Sequence, residues 1–451
     1  MKSINVYLRR GPFRSAEVYP RRGPFRSAIV AASAGIAAIV LLVAMPATAQ
    51  EAPADAAAPR DGGWSVRWDN HPEVEWSGRL RVEFRARLQG DSRSSRAAVE
   101  RGDGDRFDVG RRRVGLDGEI GRAVDFQIEG EIEKTNPWRD VYVNYHPMRG
   151  AQIQAGQFKI PFGLEETTSG GNLDFVYRSI VSTRLAPGRD GGVMLHGRVA
   201  RRTVGYEMGI FAHDGDNARP KGGTRVFGGR TVAGRVTVEP FRHSKSTMSD
   251  LEVGVAFTRS SLPQGFPAVR GKSVLGVSFF DSDVWVEGNR RRDGVQVQWR
   301  PGPFSVASEY IRVSDDRRGQ SQAGTDLPPL LARGWYVGGT WVVAGATGAA
   351  DVDQPARPLF QGGYGSIQVA MRLERLSFGS IADTGSSSTS PRADVVLGNR
   401  ETAMTIGATW HLNRWIKMEG NVIREQIGGT AVGPVPHLRV WSRLIRFQLA
   451  I

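Results

Sequence analysis

Six arginines near the start of the chain alternate with other residues, Arg79, Arg81, Arg85 and Arg87 in one run and Arg111 and Arg113 in the next. A guanidinium keeps its charge at any physiological pH and grips phosphate or carboxylate through two parallel N–H groups. In an extended strand, same-face residues lie roughly 6.6–6.8 Å apart. Guanidiniums at that spacing can hand a partly dehydrated anion along without a deep trap, which is the chemistry of a selective aqueous path. Arg112 falls out of phase, and its long stem suits snorkelling toward a rim. The same arginines also suit a wall of ion pairs with Asp125, Glu129, Glu131 and Glu133, and the residues alone leave both readings open.

Further along, the stretch from Lys159 to Asp190 shows little alternation and exceeds the usual connection length several-fold. Loops of that length are generally functional, and this one is the candidate constriction. Lys159 stands at its start beside Pro161 and Gly163, followed by Arg178, Arg184 and Arg189. Glu165, Glu166 and Asp174 bring the segment close to neutral, so each basic residue suits a tether to the wall as well as an ion contact.

Other chemistry has little to stand on. The chain has no cysteine, which removes disulfides, thiolate metal sites and cysteine nucleophiles. Its seven histidines (His71, His146, His196, His213, His243, His411, His437) are scattered without metal-ligand spacing. The stretch His213-Asp214-Gly215-Asp216-Asn217 has calcium-like acidity but lacks the remaining ligands and the distal Glu of such a loop. No phosphate-binding glycine loop or nucleophile-elbow pattern occurs. No metal, cofactor or enzymatic activity is expected.

The elements that must carry these residues are strands. From Gly78 onward, segments alternate apolar and polar at period two, separated by Gly, Asp, Asn, Pro and Ser. Leu80, Val82, Phe84, Ala86 and Leu88 share one face of their segment, with arginines and Glu83 on the other. Val124, Phe126 and Ile128 stand opposite Asp125, Gln127, Glu129 and Glu131 in the same way. About sixteen such segments follow, in the size range of outer-membrane barrels. Connections at Pro301-Gly302 and Asn413-Arg414 are tight, whereas Gly319 to Ala332 and Ser380 to Arg400 are long and polar, as short periplasmic turns and long external loops would be. A soluble secreted β-sandwich would alternate too. Dense charge on one face of strand after strand, with recurring Trp and Tyr near strand ends, favours lipid outside and water inside.

Residues Ala28 to Val43 form an uncharged apolar run behind Arg21, Arg22 and Arg26 and ahead of Ala47-Thr48-Ala49. This predicts a signal peptide over residues 1–49 with cleavage after Ala49. Residues 50–75 read as a flexible lead-in and residues 76–451 as the barrel. The motif Arg-Arg-Gly-Pro-Phe-Arg-Ser-Ala occurs twice before the apolar run, which leaves the true start of translation open. The full chain carries a formal charge of +14. Removing residues 1–49 takes away seven basic residues and one acidic residue, leaving 53 against 45 and a net +8. An exported chain of that charge does not point to nucleic acid.

Four ordered blocks carry a family resemblance: Arg139 to Gly163 with Tyr177-Arg178-Ser179 and Arg189 to Val193; Gly294 to Val313 with Gly334 to Val337; Gly362 to Phe378; and Thr402 to Glu425. The chain resembles the phosphate- and polyphosphate-selective porins of Gram-negative outer membranes, the porin O and P family, over almost its whole mature length. The resemblance implies an all-β, 16-stranded antiparallel transmembrane barrel, a third loop folded into the lumen, and basic side chains guiding anions. It further implies a homotrimer, contact with outer-membrane lipid or lipopolysaccharide, and inorganic phosphate or other small anions as solutes. Two positions depart from the pattern. Val342-Val343-Ala344-Gly345-Ala346 stands where a Leu-Thr-Gly-Glu stretch is usual, and the alternating C-terminus Phe447, Leu449, Ile451 ends in Ile rather than an aromatic. The alternatives are a general pore without phosphate preference, an outer-membrane barrel enzyme, and a structural or adhesive barrel with a plugged lumen.

Overall fold

The computed structural model describes residues 63–451 except 70, 96–105, 133–136, 218–228, 281–283, 381–386, 389–391, 393–394, 397 and 429–437. The expected signal peptide lies outside the described residues. Sixteen antiparallel strands close into one barrel. In chain order they are β1 (Leu80–Ser95), β2 (Arg106–Ile120), β3 (Val124–Glu131), β4 (Trp138–Met148), β5 (Ala151–Lys159), β6 (Arg189–Val199), β7 (Val204–Phe211) and β8 (Thr231–Val238). They continue with β9 (Glu252–Pro267), β10 (Trp285–Trp299), β11 (Phe304–Arg317), β12 (Leu327–Ala344), β13 (Ser366–Ser380), β14 (Asn399–His411), β15 (Ile416–Ile427) and β16 (Leu438–Ala450). Each strand pairs with the next, and β16 returns to β1 in a register running from Ser442 opposite Ser95 to Ala450 opposite Arg87. Closure removes every free edge, the condition for strands to sit in hydrocarbon without unpaired backbone groups.

The period-two pattern decides which face meets what. On β14, Asn399, Glu401, Ala403, Thr405, Thr409 and His411 point inward and are buried, while Thr402, Ile406, Ala408 and Trp410 point outward and are exposed. Outward apolar side chains such as Phe84, Val143, Val255, Val337, Met371 and Ile445 are exposed around the barrel, which makes the outer surface an oily band.

Odd-numbered strands run away from the end that carries the C-terminus and even-numbered strands return to it. At that end, connections over 121–123, 149–150, 200–203, 300–303 and 412–415 are tight, including the two turns expected at Pro301-Gly302 and Asn413-Arg414. Two others are longer: 239–251, and 345–365, which holds two short 3-10 turns (Ala349–Asp351 and Leu359–Gln361). The opposite end carries the long loops.

One expectation is corrected. Part of the flexible lead-in, Trp64–Asp69 and His71–Trp76, forms an antiparallel hairpin whose second strand pairs with the start of β1, Trp76 opposite Leu80 and Glu73 opposite Glu83. Its cohesion comes from stacking of Trp64 on Trp76 with ring centroids 5.7 Å apart, and from a 2.6 Å Arg67–Glu75 pair. Ala- and Pro-rich composition just upstream masked the alternation of Trp64, Val66 and Trp68.

Candidate functional site

The long connection between β5 and β6, residues 160–188, turns into the lumen. It holds two short helices, α1 (Leu164–Thr167) and α2 (Ile180–Leu185), and its apolar residues Ile160, Phe162, Val176, Ile180, Val181 and Leu185 are buried. A soluble loop would not bury such residues. Here Phe162, Val176, Ile180, Val181 and Leu185 pack on the wall formed by β9–β16, while Ile160 packs on Phe158, Met194, Phe211 and Ala233 of β5–β8.

Polar wall residues seize the loop backbone. The Glu309 carboxylate on β11 accepts the N–H groups of Leu164 and Glu165. Arg372 on β13 donates to Glu165 Oε1 at 2.9 Å, to the Tyr177 carbonyl at 3.1 Å and to Glu374 at 3.2 Å, while Glu374 accepts the Ile180 N–H at 2.7 Å. Asn421 on β15 accepts the Val176 N–H at 2.8 Å. Arg446 on β16 donates to the Val176 carbonyl at 2.6 Å and forks onto Asp91 at 2.6 and 2.7 Å. These backbone groups of an irregular segment thus meet charged or amide partners.

A second inward segment thickens this plug. Residues 268–280 place Val269, Val277, Phe279 and Phe280 against α2 and against Ile311, Val313, Leu376, Phe378, Ile427 and Val440 in one apolar cluster. Phe280 stacks on Phe378 with centroids 4.6 Å apart. Arg290 and Arg292 of β10, both buried, converge on Asp214, with a fork from Arg290 to Asp315 at 2.6 and 2.8 Å. Burial raises the carboxyls of Glu166 and Asp174 in the constriction loop above their ordinary values, against the pull of Arg178 and Lys159 on Glu166 and of Gln368 and Lys417 on Asp174. For Asp214, the two arginines outweigh burial and hold it well below the usual carboxylate range.

The wall of β1–β7 stays open. A cavity of about 370 Å3 lies between it and the loop, lined by Arg85, Arg87, Arg113, Lys159 and Arg189 against Glu129, Asp140 and Glu207. Register puts Arg81, Arg85 and Arg87 of β1 on the inward face with Arg111 and Arg113 of β2, which join through the Gln89–Arg111 and Arg81–Glu119 pairs. Arg81 meets Glu119 at 3.1 Å, Arg85 meets Asp117 at 2.8 Å, and Arg113 meets Glu129 and Glu131 at 2.9 and 3.3 Å.

Arg87 and Arg111 differ from these neighbours. Among the described residues neither forms an ion pair, and Arg87 Nε and Arg111 Nη1 are buried without a hydrogen-bond partner. Both reach the tip of the constriction loop at Gly170-Gly171. A Cβ at Gly170 would sit 1.9 Å from Arg111 Nη1, and one at Gly171 would sit 3.0 Å from Arg87 Cζ, so two glycines make the room.

The remaining sequence candidates divide. Arg79 lies on the exposed turn before β1, outside the strand. Lys159 donates to the carbonyls of Thr167 and Thr168 at 3.2 and 2.7 Å and lines the cavity. Arg178 donates to the carbonyls of Glu165 and Thr168 and faces Glu166 at 3.8 Å, which makes it a brace within the loop. Arg184 points the other way, onto the carbonyls of Lys272 and Ser273 at 3.1 Å. Arg189 forks onto Asp140 at 2.7 to 3.2 Å on the cavity rim. Asp214 and Asp216, from the calcium-like stretch, serve Arg290 and Arg292 and the Arg189 N–H respectively. Sequence reasoning missed the wall residues that hold the loop, Glu309, Arg372, Glu374, Asn421 and Arg446. Their alternation marked them as inward, but nothing local revealed their distant partners.

The fold matches known barrels. OmpT of Vibrio cholerae superposes with a TM-score of 0.52 at 11% identity, over 82% of this chain and 98% of that one. A trimer form of in-vitro folded OmpT, also from Vibrio cholerae, gives 0.51 at 10%, over 83% and 100%. The outer-membrane channel DcaP of Acinetobacter baumannii gives 0.53 at 10%, over 82% and 97%. No curated protein matches the sequence. The sequence profile described as phosphate-selective porin O and P matches residues 82–449, from the third residue of β1 to the penultimate residue of β16. An outer-membrane porin channel is therefore established for this barrel, and the chain belongs to the phosphate-selective porin O and P family.

Proposed function

We propose that the barrel is a passive, anion-preferring channel for phosphate or polyphosphate-like anions, working in the Gram-negative outer membrane after removal of a signal peptide. One observation carries the reading: Arg87 and Arg111 meet at the loop tip with buried N–H groups that have no protein partner. A buried, unsatisfied donor costs free energy, and an anion passing from the cavity, which Arg87 and Gly170 line, toward Arg111 behind the loop tip would supply the missing acceptor. Arg113, directly opposite Arg87, and Arg85, the next inward residue toward the C-terminal end of the barrel, would pass the ion on. A homotrimer is part of the proposal, supported by the trimer form of the Vibrio cholerae barrel.

A general pore is the second reading, favoured by Glu129, Asp140 and Glu207 facing the same cavity. Arginine and carboxylate walls opposed across water set up a transverse field with no phosphate specificity.

Planar bilayers separate the two. The reversal potential in a chloride gradient should show anion preference, and low phosphate at constant ionic strength should block chloride current. Arg87→Ala with Arg111→Ala should relieve the block. Cation preference, or no block in the parent protein, would rule out the phosphate reading and leave a general pore.

A further inference from the structure

The outward face of the barrel carries a second arginine array that the lumen does not explain. At the long-loop end of β11–β16, Arg312, Arg333, Arg375, Arg400, Arg424 and Arg439 are all exposed. They stand directly above the oily band: Trp335 is the register partner of Arg375, and Val337, Met371, Leu373 and Ile406 continue the exposed apolar surface below. Among the described residues, the outward faces of β12–β16 carry no carboxylate. Asp293 on β10, opposite Arg312, is the nearest in register.

Two features show that the array beyond Arg312, which has Asp293 across from it, lacks counter-charge. Arg312 and Arg333 are direct cross-strand partners, a like-charge pairing that destabilises a sheet unless an anion sits between. Arg333, Arg375 and Arg439 make no ion pair among the described residues, and the Arg400 guanidinium donates only to the Gly428 carbonyl at 3.3 Å. The side chains also frame concave surface. A groove of about 510 Å3 is lined by Arg333, Arg375, Arg400, Tyr310, Trp335 and Ser377. A second, of about 380 Å3, shares Arg375 and Arg400 and adds Thr402, Gln426 and Arg439.

We infer that these grooves bind the phosphate groups of a phosphorylated glycolipid in the leaflet at the long-loop end, with its acyl chains lying on the apolar band. Several guanidiniums around one groove match a headgroup bearing more than one phosphate, each phosphate taking parallel N–H bonds. Tyr310 and Trp335 sit at the depth where amphipathic rings meet headgroups. The continuous apolar surface beneath the grooves favours a lipid over a free ion. The inference rests on the long-loop end facing the outer leaflet, and not on the ion preference of the lumen.

Native mass spectrometry of the detergent-solubilised protein, loaded with bisphosphorylated lipid A or its dephosphorylated form, tests it. The parent protein should retain the phosphorylated lipid, and Arg375→Gln with Arg400→Gln should retain at least tenfold less. Arg375→Lys with Arg400→Lys should fall between. Unchanged chloride conductance of each variant in a neutral bilayer would show that the barrel is intact and keep this result separate from the anion-path proposal. Equal retention of dephosphorylated lipid, or undiminished retention by the double Gln variant, would overturn the assignment. So would saturation by inorganic phosphate without any preference for the lipid. A Gln variant that dissociates into single chains would assign the face to contact between copies instead.

Discussion

Near the C-terminal end of the wall of β1–β3 the inward charges stand in water, Arg81 49% exposed, Arg85 48% and Asp125 46%, and burial sets in only toward the loop, where Arg113 is 11% and Glu131 2% exposed. On the wall of β10–β16 the same residue types are sealed, with Arg290, Glu374, Glu401 and Glu425 at 0%. Both walls come from strands with the same alternation. What differs is the inward loop, which spends one set of charges on holding backbone and leaves the other set facing a cavity. An arginine–carboxylate pair therefore has two uses in one barrel, structural where water is excluded and electrostatic where it remains.

The largest expected effect comes from breaking the sealed side. Arg446→Ala leaves Asp91 buried without its partner and frees the Val176 carbonyl, so the barrel should lose about 3–5 kcal/mol. Thermal unfolding in detergent reads the loss, and a released loop should also make single-channel current noisier. Unaltered stability would mean that the apolar cluster around Phe280 and Phe378 alone holds the plug.

The open side should respond in transport and not in stability. For Arg87→Ala with Arg111→Ala, loss of charged hydrogen bonds worth about 1.5–3 kcal/mol to a bound anion predicts phosphate block weakened by at least roughly tenfold. Unfolding should not worsen, because the unpartnered nitrogens contribute no protein bond. A fall in stability as large as that of Arg446→Ala would erase the distinction between the two walls.

Arg81→Ala and Arg85→Ala should do less. Their pairs with Glu119 and Asp117 are half in water and worth about 0–1 kcal/mol each, so their effect on conductance should fade in 1 M salt, where the Debye length is about 3 Å. An effect that persists at that salt would place them among the sealed pairs.

Smallest is a pH effect from the constriction loop. Burial raises Glu166 above the ordinary carboxylate value of about 4.3. Lowering the pH from neutral toward that value protonates Glu166 and removes a negative charge near Lys159 and Arg178. Anion preference in reversal-potential measurements should therefore rise as pH falls, and Glu166→Gln should flatten the dependence. A rise in cation preference on acidification would contradict the sign.

The barrel was legible because period-two alternation is a local signal, and it placed Arg81, Arg85, Arg87, Arg111 and Arg113 on the lumen side. Arg79 belongs to the same parity but lies before the strand begins, where parity no longer fixes direction. The plug was not legible. Its pairs span enormous sequence separations, Arg446 with Asp91 and Arg372 with Glu165, so no window contains both partners. Its apolar half was hidden too. Leu376, Phe378, Ile427 and Val440 point inward onto α2 and residues 268–280, against the simple division of oily outside and charged inside.

The absence of cysteine allows a direct test of which half of the lumen conducts. Gln127→Cys places a thiol on the cavity beside Arg113 and Glu129, and Thr405→Cys places one on the sealed wall of β14. A bulky thiol reagent added during single-channel recording should cut the current through the Gln127→Cys protein and leave Thr405→Cys unreactive. Block at Thr405→Cys with free passage past a modified Gln127→Cys would put the path through the half described here as closed, and would contradict the account at its centre.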